Sequence, residues 1–272
     1  NACMHIRFWG TRGSIPSPSR DTVEFGGNTS CVEIVLSDGN SVIMDAGTGL
    51  RVFGLDYLQR KNAPRTLHLF LSHAHWDHIQ GFPFFIPALL PDFTLHIYCH
   101  LDAEQILSHQ MTPPYFPLTL AEARAEKIFH LLKKEPVTIG TGTVSFLTLN
   151  HPQDVYGFRV DDEDGGSAVY STDTEHNHAE YNEKLIEFSR GADALLYDAQ
   201  YTPEEYEGRV GWGHSTYEAA VDIAKNAGVK RLILFHHEPT HNDDSVRTIE
   251  RKAQALFPET TAAREDTTIT VP

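Results

Sequence analysis

Short apolar runs recur along the first third of the chain as HIRFWG, CVEIVL, SVIMD and TLHLFLS, separated by the turn-rich stretches GTRGSIPSPS, SDGN and AGTG. Runs of this length, rich in β-branched and aromatic residues and bounded by Gly, Pro, Asn and Asp, predict consecutive strands of a sheet. A second block, VTIGTGTVSFLTLN, YGFRV and AVYSTD, repeats the pattern, with DDEDGG expected as an exposed turn between its last two strands. Between the blocks, Leu118 to Leu132 is rich in Ala, Glu, Lys and Leu and predicts helix for part of its length, after the proline-stiffened loop MTPPYFP. Toward the end come an amphipathic segment around Tyr181 to Ser189, the apolar run ALLYDAQ, a helix over Ser215 to Ala227 and the strand RLILFHH. Two strand blocks, each closed by helices, predict an α/β protein built as a four-layer α/β/β/α sandwich. With no linker, low-complexity segment or short-period repeat, residues 1–272 read as a single domain.

Composition narrows the partners. A chain of 272 residues with 40% hydrophobic content builds its core without staples. The formal charge of -15, from 22 basic and 37 acidic side chains, disfavours a protein that grips long nucleic acid and favours small or already shielded substrates. Cys3, Cys31 and Cys99 are odd in number and form no CxxC pair, so neither a disulfide framework nor a thiolate metal site is indicated, and a reducing, cytoplasmic setting follows. No apolar run approaches the roughly 20 residues that cross a bilayer, and no charged-then-apolar leader opens the chain, so no membrane partner is expected. Asn1 and Ala2 read as a cloning remnant.

The densest chemistry follows TLHLFL, where SHAHWDH sets three histidines and an aspartate at the end of an apolar strand. His73 and His75, two apart on an extended segment, put both rings on one side, able to share an ion; Asp77 and His78 then turn toward a second. Imidazoles and carboxylates without thiolates suit zinc, with manganese and iron as alternatives. A single histidine near a strand end is ordinarily a solvated loop residue; four ligand-capable residues at this spacing are not. Three further strands end the same way: His151 after SFLTLN, Asp173 after AVYST and His236 after RLILF. Shared ligation is the simplest account of that recurrence.

HxHxDH followed by separate His, Asp and His at strand ends resembles the metallo-β-lactamase superfamily over essentially the whole chain. The resemblance implies that His73, His75 and His151 hold one divalent ion and Asp77, His78 and His236 a second, with Asp173 bridging. His236 is preferred to His237 because it opens the H-x-x-P pattern that ends at Pro239. FWGTRGSIPSP, FGGNTSC and GHSTYEAAVDIAKNAGVKRLILFHHEP are similar to the corresponding stretches of tRNase Z and of small cyclic-phosphate phosphodiesterases. In that branch the histidine matching His214 sits by the metals and pairs with an acid matching Asp198; the alternative is a loop residue beside a helix cap supplied by Ser215 or Thr216.

This chain lacks the long basic arm with which tRNase Z grips tRNA. It carries instead GFPFFIPALLPDF through QMTPPYFPL, whose aromatics and prolines suit plain core or a homodimer contact, although Tyr115 and Phe116 on the stiff loop are candidates to stack a nucleobase. Asp45 in MDAGTG is read either as a turn aspartate or as the partner that orients a ligand histidine. His176 and His178, just after Asp173, are read either as pocket-lining residues or as helix caps, the cap being preferred. Trp76, between two ligands, has no assignment to packing or to substrate.

The function these residues imply is a two-metal hydrolase cleaving a small, cyclic nucleotide or cyclic phosphate diester, with Asp77 holding the nucleophile and His214, steered by Asp198, protonating the leaving oxygen. Rivals are a tRNase Z-like RNA 3′-end endonuclease, a thioester or lactam hydrolase, a di-iron redox protein and a non-catalytic scaffold.

Overall fold

Each strand block begins one sheet in the computed structural model, which describes residues 3–272; Asn1 and Ala2 lie outside the described residues. The first block supplies β1 (Met4–Gly10), β2 (Cys31–Val35), β3 (Ser41–Met44) and β4 (Thr66–Phe70), and two strands the pattern did not predict, β5 (Thr94–Cys99) and β6 (Glu126–Leu131), extend its sheet. The second supplies β7 (Val137–Ile139), β8 (Gly142–Leu149), β9 (Val155–Asp162) and β10 (Ser167–Ser171); the later apolar runs add β11 (Ala194–Asp198) and β12 (Arg231–Phe235), and the unpredicted β13 (Thr260–Ala262) completes that sheet. A last strand, β14 (Thr268–Val271), returns to pair antiparallel with β1, so that the two sheets run β14-β1-β2-β3-β4-β5-β6 and β13-β12-β11-β10-β9-β8-β7. The halves echo one another: β1 to β3 and β7 to β10 are antiparallel, whereas β3 to β6 and β10 to β13 are parallel.

Period-two alternation builds the layers. In β4, Leu67 and Leu69 face outward into an apolar layer while Phe70 faces the other sheet. In β12, Leu232 and Leu234 face outward and Ile233 and Phe235 inward. The helices Gly49–Tyr57 and Ala103–Gln110 cover the outer face of the first sheet through Leu50, Phe53 and Leu107. Ala179–Phe188, Tyr217–Ala227 and Asp243–Leu256 cover the second through Leu185, Val221, Ile223, Val246 and Ile249. Three apolar layers between four layers of secondary structure make the α/β/β/α sandwich.

Two local expectations are corrected. Leu118 to Leu132 forms only a 3₁₀ turn, Leu120–Glu122, before β6 pairs in parallel with β5 from Thr94↔Glu126 to Cys99↔Leu131. At the sheet edge β6 stays half solvated, so it tolerates the Glu and Lys that made the stretch look helical, and pairing overrides propensity. The DDEDGG turn is exposed at Glu163, Asp164 and Gly165 as expected, but Asp162 at its start is buried and accepts the Ser37 backbone N–H at 2.6 Å and its hydroxyl at 2.7 Å. Much of the segment after the motif is core: Phe82, Phe85, Ala88 and Phe93 are buried under the first sheet. No helix among the described residues is long and apolar enough to cross a membrane.

Candidate metal centre

The chemistry collects at the carboxyl ends of the strands, where loops of an α/β sheet converge. β4 delivers Ser72 through His78, β8 delivers His151, β10 Asp173, β11 Asp198 and β12 His236. Asp45, Asp173 and His236 leave their strands with φ of 63°, 51° and 64°. A non-glycine residue held in this left-handed region costs on the order of 1–3 kcal/mol, so the fold spends stability to turn these side chains inward.

The candidate ligands assemble as two groups that share one residue. The ligating atoms of His73, His75, His151 and Asp173 lie within 4.8 Å of one another, as do those of Asp77, His78, Asp173 and His236. The two oxygens of Asp173 divide between them. Oδ2 faces His73 Nε2 at 3.5 Å and His151 Nε2 at 3.9 Å, while Oδ1 faces His78 Nε2 and His236 Nε2, each at 3.2 Å. Asp77 Oδ2 stands 3.2 Å from both His78 Nε2 and His236 Nε2 and accepts the Ser14 backbone N–H at 2.8 Å.

Hydrogen bonds on the far side of the rings show that the cradle fits cations. Ser72 donates its hydroxyl proton to Asp45 Oδ2 at 2.8 Å, so its oxygen accepts from His73 Nδ1 at 3.0 Å. Asp45 Oδ2 also accepts from His78 Nδ1 at 2.7 Å and from the Tyr170 hydroxyl at 2.8 Å. With both Nδ1 atoms committed to these bonds, His73 and His78 turn Nε2 toward the cluster, and both Nε2 atoms are buried without a hydrogen-bond partner. An orphaned buried polar atom costs about 1–3 kcal/mol unless something satisfies it, and a divalent ion does.

Electrostatics agree. Burial keeps His73 well below the ordinary imidazole range and moves His151 down to about 4, which leaves both neutral as ligands must be. Burial opposes charge on Asp77 and Asp173 too, yet His78 and His236 around them hold both carboxyls well below the usual range. His78 is desolvated but pushed up by Asp173, Asp77 and Asp45. Three carboxylates thus demand positive charge at that spot.

Asp45 therefore orients two candidate ligand rings at once, the more active of its two sequence readings. Asp45→Asn is expected to weaken metal binding by about 10- to 100-fold, read by competition with a chelator, while leaving the ligand set itself unchanged.

Several supporting residues carry no sequence signal that isolates them. Gln200 accepts from His236 Nδ1 at 3.0 Å through Oε1, and its own amide donates to Glu238 at 2.8 Å, which fixes the amide's orientation. Gln153 Oε1 meets His75 Nε2 at 2.9 Å. Two glycines admit the ligand rings. A Cβ on Gly13 would stand 2.5 Å from His236 Nδ1, and one on Gly213, whose φ is +90°, would stand 2.3 Å from His151 Cδ2. Gly213→Ala is expected to displace His151, lowering metal content at the first group while a second ion remains, as elemental analysis would show.

His214 lies against this cluster. Its ring stacks on His236 with centroids 5.0 Å apart, and its Nδ1 donates to Asp198 Oδ2 at 2.8 Å. Asp198 is held by the backbone N–H groups of Gln200 and Ser215. Burial opposes charge on His214, but Asp198 outweighs it and pushes the imidazole up to about 9. The helix cap comes from Thr216, whose hydroxyl accepts the Ala219 N–H at 3.2 Å, a contact worth about 1 kcal/mol. His214 is thus free of capping and faces the site. His237 turns away and bonds Ala263 O at 2.9 Å. His178 occupies the first position before the helix Ala179–Phe188, and His176 packs on Tyr206.

A cavity of about 440 Å³ opens over the cluster, lined by Ser14, Ala74, His75, Trp76, Asp77, Asp173 and His214. Tyr115 and Phe116 lie outside that lining: Tyr115 is exposed, and Phe116 packs edge-on against Phe84 beside the outer core.

A family model described as a beta-lactamase superfamily domain matches residues 40–237. An uncharacterized protein of Mycobacterium leprae is 30% identical over 233 residues, 80% of this chain and 74% of that one. The short form of human tRNase Z superposes with a TM-score of 0.72 at 20% identity, covering 98% of this chain and 99% of that one. A diphosphatase from the PhnP family gives a TM-score of 0.71 at 20% identity, covering 98% and 97%. The matched family model spans most of the chain, and the chain belongs to the beta-lactamase superfamily, with the metallo-β-lactamase fold.

Proposed function

We propose that this protein is a dinuclear-metal phosphodiesterase that hydrolyses a small, cyclic nucleotide or cyclic phosphate diester. The observation that carries the reading is Asp173, whose two carboxylate oxygens face two separate nitrogen sets with His214 and Asp198 beside them. His73, His75 and His151 would hold one ion, Asp77, His78 and His236 the other, and Asp173 both. The all-nitrogen-and-oxygen donor set favours zinc, with manganese or iron as alternatives.

The chemistry such ions supply when bound is Lewis acidity, which acidifies water and screens charge on phosphate oxygens. The protein's own groups do the rest. Asp77, fixed by the Ser14 N–H, accepts a hydrogen bond from the attacking water and holds it in register. The short bond from His214 Nδ1 to Asp198 keeps the ring oriented with Nε2 toward the cavity. From there Nε2 delivers a proton to the departing oxygen as the phosphorus–oxygen bond breaks, a contribution of about 10²- to 10⁴-fold for a positioned acid. The buried thiols Cys31 and Cys99 support a reducing, cytoplasmic setting.

Incubating protein loaded with zinc or manganese with cyclic nucleotides, and following release of the linear monoester by phosphorus NMR, tests the reading. Ring opening that depends on the metal and on Asp173 supports it; intact substrate with two ions bound refutes it.

A further inference from the structure

Trp76 is the large apolar side chain in the cavity lining, and it is 82% exposed. Among the described residues its indole makes no hydrogen bond, ring stack or cation–π contact. Its backbone, by contrast, is fixed. The residues that follow it, Asp77, His78 and Ile79, are buried, its carbonyl accepts the Gln80 N–H at 2.8 Å, and the His78 carbonyl is held by Ala46 at 2.8 Å. A rigid turn thus presents a free aromatic face beside Asp77 in the cavity that His214 also lines.

We infer that Trp76 is the face on which the planar base of the substrate stacks, so that the substrate class is a nucleotide diester rather than the diester of a plain sugar or alcohol. This rests on the phosphodiesterase reading above. A preorganised ring binds a base without an ordering cost, and every base offers it a π face. The remaining lining has no Asn, Gln, Arg or Lys to read a base edge. Recognition led by stacking gives a site tolerant of base identity, with purines ahead of pyrimidines because they offer more stacking area.

The test uses the metal-loaded protein and two readouts. Titration calorimetry compares adenosine 5′-monophosphate with ribose 5-phosphate, and hydrolysis compares a 2′,3′-cyclic nucleotide with glycerol 1,2-cyclic phosphate. Trp76→Ala is expected to weaken nucleotide binding and raise the nucleotide KM by roughly 5- to 150-fold while leaving ribose 5-phosphate and glycerol cyclic phosphate unchanged. Trp76→Phe restores part of the loss. The inference is overturned if wild-type protein binds the nucleotide no better than ribose 5-phosphate, or if Trp76→Ala affects both ligands equally or neither. It is equally overturned if Tyr115→Ala gives the base-selective loss instead, or if Trp76→Ala acts by dissociating a dimer in sedimentation. Base-selective binding lost in Trp76→Ala, with neither of these diesters nor a 3′,5′-cyclic nucleotide cleaved by the wild type, leaves the stacking face standing and refutes the phosphodiesterase. Cleavage without base selectivity does the reverse.

Discussion

Replacing His214 with alanine lowers turnover of a cyclic phosphodiester by about 10²- to 10⁴-fold while both ions stay bound. The size follows from what the side chain is placed to do: its Nδ1 is committed to Asp198 at 2.8 Å, so the ring acts on the substrate through Nε2 alone. Two results together identify the role: turnover falls in steady-state assays, and metal content by elemental analysis matches the wild type. A leaving group that needs no proton, such as p-nitrophenolate, should narrow the loss, because a good leaving group gains little from a general acid. If His214→Ala instead sheds an ion, the residue is a ligand, and its proximity to Asp173 and His236 is the reason. Unchanged turnover with a poor leaving group removes it from the mechanism. Asp198→Asn is a weaker probe, since Asp198 also anchors the Gln200 and Ser215 backbone.

The second large effect belongs to Asp173. Asparagine tolerates the left-handed backbone that Asp173 adopts at φ 51°, so Asp173→Asn changes the charge and one donor atom while leaving the loop in place. Because Oδ1 and Oδ2 serve different nitrogen sets, the substitution weakens both ion sites together, where His151→Ala or His236→Ala weakens one. The expected result is less than one tightly held ion per chain after mild chelation and loss of turnover. Two ions retained at wild-type affinity would show that Asp173 does not bridge.

Much of this centre is legible in the sequence because ligands must leave strand ends, and strand ends announce themselves. TLHLFL alternates, stops at Ser72 and turns into HAHWDH; the same termination marks His151, Asp173 and His236. What is not legible is the support behind the rings. Ser72, Gln153 and Gln200 are common polar residues whose meaning comes from the chain that packs against them, Gln200 lying 36 residues from the ring it orients. Gly13 and Gly213 look like ordinary turn glycines until a histidine is found where a Cβ would sit.

The fold shows the same division. Helices at Tyr217–Ala227 and Ala179–Phe188 follow amphipathic periods, whereas β6 contradicts its composition because pairing with β5 decides the edge. The helix Asp243–Leu256 was open to the same periodic reading, with Val246, Ile249, Glu250 and Ala253 on its buried face and Asn242 as its cap, but its charge-rich sequence masks the stripe. Tyr115 looked equipped for stacking by composition; location instead singles out Trp76, which shares the cavity with Asp77 and His214.

The central claim is that two ions held by this cradle cleave a small phosphodiester. The most direct measurement incubates protein of measured metal content with three substrates side by side: a cyclic nucleotide, a linear dinucleotide and a precursor tRNA. The account predicts two ions per chain and ring opening of the cyclic nucleotide, lost in Asp173→Asn. Protein that carries both ions and cleaves only the precursor tRNA, or none of the three, contradicts it.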